Sequence, residues 1–87
     1  MNLQELRKAI NTIDASILKL IGERMDLCKK MRPLKGEIED TKRESELREI
    51  WLKEAESLGI SRDAALAILA ELFKESKRIQ RDSSQDT

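Results

Sequence analysis

Apolar residues recur along the first 34 positions at alternating steps of three and four: Leu3, Leu6, Ile10, Ile13, Ile17 and Leu20, then Leu27, Met31 and Leu34. A turn of about 3.6 residues sets such a series on one side of a helix, as a stripe that another helix must cover. The spacing predicts a helix over residues 3–31, about 40 Å long at 1.5 Å per residue. One slot in the series, between Leu20 and Leu27, holds Arg24. A chain of 87 residues has little material with which to cover a stripe of that length. Self-association is therefore expected, and a homodimer of helices is the economical closed solution.

The remainder reads as two shorter helices, so the fold class is all-α with one long helix and two short ones. Pro33 ends or bends the first helix, because its ring clashes with the carbonyl of residue 29 and it pushes Arg32 out of the helical region. Gly36 follows as a loop residue. Asp40 and Thr41-Lys42-Arg43-Glu44 fit a capping box, with Asp40 or Thr41 at the cap and Glu44 as return partner. The second helix carries Leu47, Ile50, Trp51, Ala55 and Leu58 on one side, and Gly59 stops it. Ser61 can cap a third helix with the stripe Leu66, Leu69, Leu72/Phe73, Ser76 and Ile79/Gln80. One domain over residues 1–80 is expected, and a frayed polar tail over residues 81–87.

Composition removes many chemistries. The chain has no histidine and no tyrosine, so imidazole metal sites and Ser-His-Asp or Cys-His catalysis are excluded. Cys28 is the sole cysteine, which fits a reduced, cytoplasmic protein. No metal or cofactor is expected. Trp51 and Phe73 are the only aromatic residues, too few to stack bases, and 17 basic residues balance 17 acidic ones. Nucleic-acid and membrane partners are accordingly not expected. The N-terminus lacks the apolar run of a signal peptide, and no segment approaches the roughly 20 apolar residues of a membrane span.

Four polar residues stand where the periodicity calls for apolar ones: Arg24, Arg43, Ser76 and Gln80. Each has an ordinary structural explanation. A seam arginine can snorkel or set a register, Arg43 lies in an easily exposed first turn, Ser76 can bond its own helix, and Gln80 can be solvated near a helix end. Together they sit near helix ends that converge in a bundle, where they would line a polar cavity suited to an anionic, hydroxylated small molecule. From Arg24 to Arg43 there are seven basic residues against four acidic ones. Lys35 lies eleven residues after Arg24, about three turns, so a continuous helix would give them one face. Arg7 lies 17 residues before Arg24, about 25 Å along the axis, so it can reach the same small ligand only from a second chain.

Leu6-Arg7-Lys8-Ala9-Ile10 with Ile13-Asp14, Ile17-Leu18 through Gly22-Glu23-Arg24, Lys35, Asp40, Arg43-Glu44, Glu75-Ser76 and Gln80 resemble the all-helical class of chorismate mutase over roughly residues 3 to 80. The resemblance implies an intertwined homodimer of three-helix chains with two equivalent active sites. It implies that Arg7 crosses from the partner chain and, with Arg24, binds the carboxylates of chorismate. Lys35 would bond a carboxylate and the ether oxygen, and Gln80 would bond that oxygen too. Asp40 and Glu44 would meet the ring hydroxyl region, and Arg43 and Ser76 would complete the polar wall. The implied reaction, chorismate to prephenate in phenylalanine and tyrosine biosynthesis, is an intramolecular Claisen rearrangement. It needs a compact reactive conformer and hydrogen bonds to charge developing on the ether oxygen, and neither requires histidine.

Two features depart from the family pattern. Only four residues separate Lys35 from Asp40, where typical members carry a longer loop, and Pro33 precedes Lys35 by two residues. A helix ending early would leave Lys29 or Lys30 as alternative donors, although the eleven-residue step from Arg24 favours Lys35. Other functions on the same fold are an isochorismate-pyruvate lyase and a non-enzymatic dimerisation or regulatory module.

Overall fold

The computed structural model describes residues 1–85, the last three as backbone alone. The first helix, α1, runs Leu3–Met31, capped by Asn2, whose Oδ1 accepts the Glu5 amide at 2.8 Å. Its C-terminal end shows what the proline does. Pro33 has no N–H to offer the Lys29 carbonyl, and the Arg32 amide takes that carbonyl instead, so the chain tightens into a single 3₁₀ turn, Arg32–Leu34. Lys35 leaves that turn with an extended backbone, φ −105° and ψ 140°.

The second helix, α2, spans Thr41–Leu58. Asp40 is its cap, accepting the Arg43 amide on Oδ1 at 3.0 Å. The expected capping box does not form. With Asp40 at the cap, the return position falls on Arg43, and Glu44 turns its carboxylate to Arg48 and Lys77. Gly59 closes the helix in the left-handed region, φ 73°, with the Ile60 amide on the Ala55 carbonyl at 2.9 Å and its own amide on Glu56 at 3.3 Å. A Cβ at Gly59 would meet no atom within 4 Å, so alanine there would cost only the left-handed strain, about 1–2 kcal/mol.

Ser61 caps the third helix, α3, which runs Arg62–Gln85, its Oγ accepting the Ala64 amide at 3.1 Å. The helix thus continues past Arg81 into the stretch expected as a tail, of which residues 86 and 87 lie outside the described residues. The buried apolar side chains are Met25, Ala55, Ala65, Leu69, Leu72 and Phe73. The α3 stripe therefore begins on Ala65 instead of Leu66, which is half-buried. An alanine at that crossing lets α2 and α3 approach closely near their connecting turn. Leu69 is 1% exposed and central to this core. Leu69→Ala should destabilise the fold by about 2–5 kcal/mol, read as a lower denaturant midpoint at unchanged slope.

Helix α3 packs against both of the others, and no packed seam joins α1 directly to α2 among the described residues. The consequence falls on α1. Leu3, Leu6, Ile10, Ile13, Ile17 and Leu20 are between 46% and 62% exposed. The radius of gyration is 15.9 Å, where a compact chain of this length would have about 12 Å. The accessible surface is 7060 Å², against about 5,200 Å² for a compact monomer of this mass. Most of α1 is a helix whose apolar stripe its own chain does not cover.

Candidate active site

Three stretches of chain meet around a cavity of about 280 Å³: the C-terminal third of α1 with the segment after it, the first turns of α2, and the C-terminal half of α3. A wider depression of about 520 Å³ lies over residues 35–42, but one surface segment forms it and nothing opposes that wall. Seven of the eight polar residues expected at a site line the 280 Å³ cavity: Arg24, Lys35, Asp40, Arg43, Glu44, Ser76 and Gln80. Arg7 does not, being 17 residues back along α1 and exposed.

Arg24 is half-buried on α1 and faces α3. Its Nη1 donates to Ser76 Oγ at 2.9 Å and approaches Cys28 Sγ at 3.9 Å. Ser76 in turn donates to the Leu72 carbonyl at 2.8 Å, the back-bond of a mid-helix serine, which leaves its lone pairs toward Arg24.

Lys35 and Gln80 form the second group. Gln80 is 2% exposed, the only buried polar side chain among the described residues, and is not solvated as its position near a helix end would allow. Its Nε2 donates to the Cys28 carbonyl at 2.9 Å and its Oε1 accepts from Lys35 Nζ at 3.3 Å. Lys35 also donates to the Ile38 carbonyl at 3.1 Å. An ammonium has three donors, so these two bonds leave a third for a ligand. Lys35 reaches this place differently from the expected route. It does not share a helical face with Arg24, because Pro33 has ended the helix, and the extended backbone at Lys35 returns the side chain to α3.

Among the described residues neither Arg24 nor Lys35 has a carboxylate partner. Two cations that pair with no carboxylate on one cavity could take up an anionic group. Arg43 stands at the rim, its side chain 55% exposed and turned to Glu46 at 3.5 Å. Asp40 contributes one oxygen to the α2 cap and lines the cavity beside it. Leu27, Met31, Ile38, Leu47 and Phe73 supply the apolar wall.

Cys28 and Lys77 also line the cavity, outside the set of residues expected at a site. Cys28 packs its sulfur 3.4 Å from Ser76 Oγ, one turn after Arg24. Lys77 pairs with Glu39 at 3.0 Å and Glu44 at 3.1 Å. The hydrogen bond to Glu39, with further support from Glu44, raises the Lys77 ammonium above its ordinary value, and the same bond lowers the Glu39 carboxyl below its own. The available signal was position: Lys77 follows Ser76 by one residue, about 100° round the helix.

Among the described residues, no helix is long and apolar enough to cross a membrane. A family model described as chorismate mutase type II matches residues 6–81. No curated protein and no solved structure matches the chain.

Proposed function

The chain belongs to the chorismate mutase type II family, and on that premise we propose that it rearranges chorismate to prephenate, as a cytoplasmic homodimer in the route to phenylalanine and tyrosine. The observation that carries the proposal is the pairing of Arg24 and Lys35, two cations without acidic partners, beside the buried amide of Gln80 on one small cavity.

Chorismate is a dianion with one ring hydroxyl, and its rearrangement breaks a C–O bond while a C–C bond forms within the same molecule. No proton transfer or covalent intermediate is required of the protein. Arg24 offers its guanidinium to a carboxylate and is oriented by Ser76. The third donor of Lys35 and the neighbouring amide of Gln80 meet the ether oxygen as negative charge builds on it. Donors held in place before the reaction stabilise that charge without reorganising. The apolar wall of Leu47 and Phe73 packs the ring and favours the folded, reactive conformer.

The second carboxylate falls to Arg7 of the partner chain. Within one chain Arg7 and Arg24 stand about 25 Å apart along α1. The uncovered stripe Leu3 to Leu20 is the surface on which two α1 helices would pair and bring Arg7 across. Ile13→Glu should therefore give monomers in analytical ultracentrifugation and reduce turnover by at least about tenfold, because it removes Arg7 from the partner's site.

The direct test is incubation with chorismate, following the loss of its absorbance and identifying prephenate as product. No acceleration over buffer would refute the proposal. Faster release of pyruvate from isochorismate would assign the lyase reaction instead.

A further inference from the structure

Lys77 has a place in this pocket that neither the seam residues nor the family resemblance identified. Its side chain is 20% exposed, and its ammonium makes two ion pairs, to Glu39 Oε1 at 3.0 Å and to Glu44 Oε2 at 3.1 Å. The two carboxylates belong to different parts of the chain. Glu39 lies in the short segment before α2, and Glu44 lies in the first turn of α2.

Glu44 is 14% exposed and is held from both sides, Oε2 by Lys77 of α3 and Oε1 by Arg48 of its own helix at 3.6 Å. A carboxylate has about four acceptor positions, so the close Lys77 pair on Oε2, with Arg48 farther off beside Oε1, orients it and still leaves room for a hydroxyl donor. Exposed ion pairs are worth little, but here both Lys77 and Glu44 are largely covered, and a covered charge-assisted bond holds its geometry. Lys77 also ties the segment before α2 to α3 through Glu39. The bond from Lys35 to Gln80 is another tie from that segment into the pocket.

We propose that Lys77 is a positioning residue, whose ammonium aims the Glu44 carboxylate at the ring hydroxyl of the substrate. The inference rests on the chorismate reading above.

The test compares Lys77→Met, which keeps the apolar stem, with Lys77→Arg, which keeps the charge. Both are measured on chorismate and on an analogue lacking the ring hydroxyl, alone and in a Glu44→Gln background, with folding checked by circular dichroism. On chorismate, Lys77→Met should lower kcat/KM by roughly tenfold to a hundredfold, and Lys77→Arg should recover most of it. On the analogue, and in the Glu44→Gln background, the loss from Lys77→Met should shrink to about twofold or less. Equal losses on both substrates, or losses that multiply with Glu44→Gln, would show that Lys77 does not act through Glu44 and overturn the inference while the functional reading stands. If Lys77→Met does not fold, Lys77→Gln is judged by the same criteria. If the unsubstituted chain does not accelerate the rearrangement, the functional reading falls and this inference with it.

Discussion

Arg24→Leu should abolish turnover while leaving the chain folded. Leucine completes the apolar series between Leu20 and Leu27, and it strands no partner. Ser76 keeps its donor bond to the Leu72 carbonyl at 2.8 Å, and Cys28 loses only a weak 3.9 Å contact. Replacing a half-buried cation by a well-packed apolar residue is commonly neutral or stabilising. Unfolding temperature should therefore hold or rise. Chorismate turnover should fall by at least about 10²–10³-fold, since a fixed donor to an anionic reactant is gone from the site. Full turnover in the variant would refute the assignment of Arg24 to the site. It would favour a dimerisation module in which the arginine only sets register.

Lys35→Met should affect the reaction differently. Methionine keeps most of the side-chain length and removes the ammonium, so the pocket keeps its shape while Gln80 loses its hydrogen bond from Lys35. If Lys35 meets charge that develops on the ether oxygen, its contribution exists in the transition state more than in the ground state. The expected result is a fall in kcat of about 10²–10³-fold with a much smaller change in KM. A rise in KM with kcat unchanged would show that Lys35 holds a carboxylate in both states alike, and the ether-oxygen role would pass to Gln80 alone.

The limits between the helices were legible because local rules set them. Asp40 and Ser61 each accept an amide three residues on, and Gly59 takes a left-handed turn that other residues resist. The end of α3 was not, since the polar run after Arg81 holds no Gly or Pro to stop the helix. The inward-facing polar residues were legible for a related reason. A polar side chain in an apolar slot is conspicuous to a pattern of period 3.6, which found Arg24, Ser76 and Gln80 and also took in Arg43, whose side chain stands 55% exposed at the rim. That pattern misjudged the start of the α3 stripe, where Ala65 is buried and Leu66 only half-buried, since periodicity cannot tell which edge of a stripe meets a neighbour.

Lys77 was invisible to the same reasoning, because it stands at the edge of the α3 stripe and resembles a solvated lysine until Glu39 and Glu44 are placed against it. Lys35 was found by a spacing whose premise the structure removes. It arrives at Gln80 through the turn that Pro33 imposes, not along a continuous helix.

From its order of residues alone the chain determined three helices, their caps, an apolar stripe too long for one copy to cover, and a set of polar side chains facing inward. All of these follow from interactions between residues three or four apart. The tertiary structure decided which of those side chains meet: Arg24 with Ser76 across 52 positions, Lys35 with Gln80 across 45, and Lys77 with Glu39 across 38. Those meetings depend on how α3 crosses the end of α1 and the start of α2. The crossing is set by packing around Leu69, Leu72 and Phe73, which no local rule encodes.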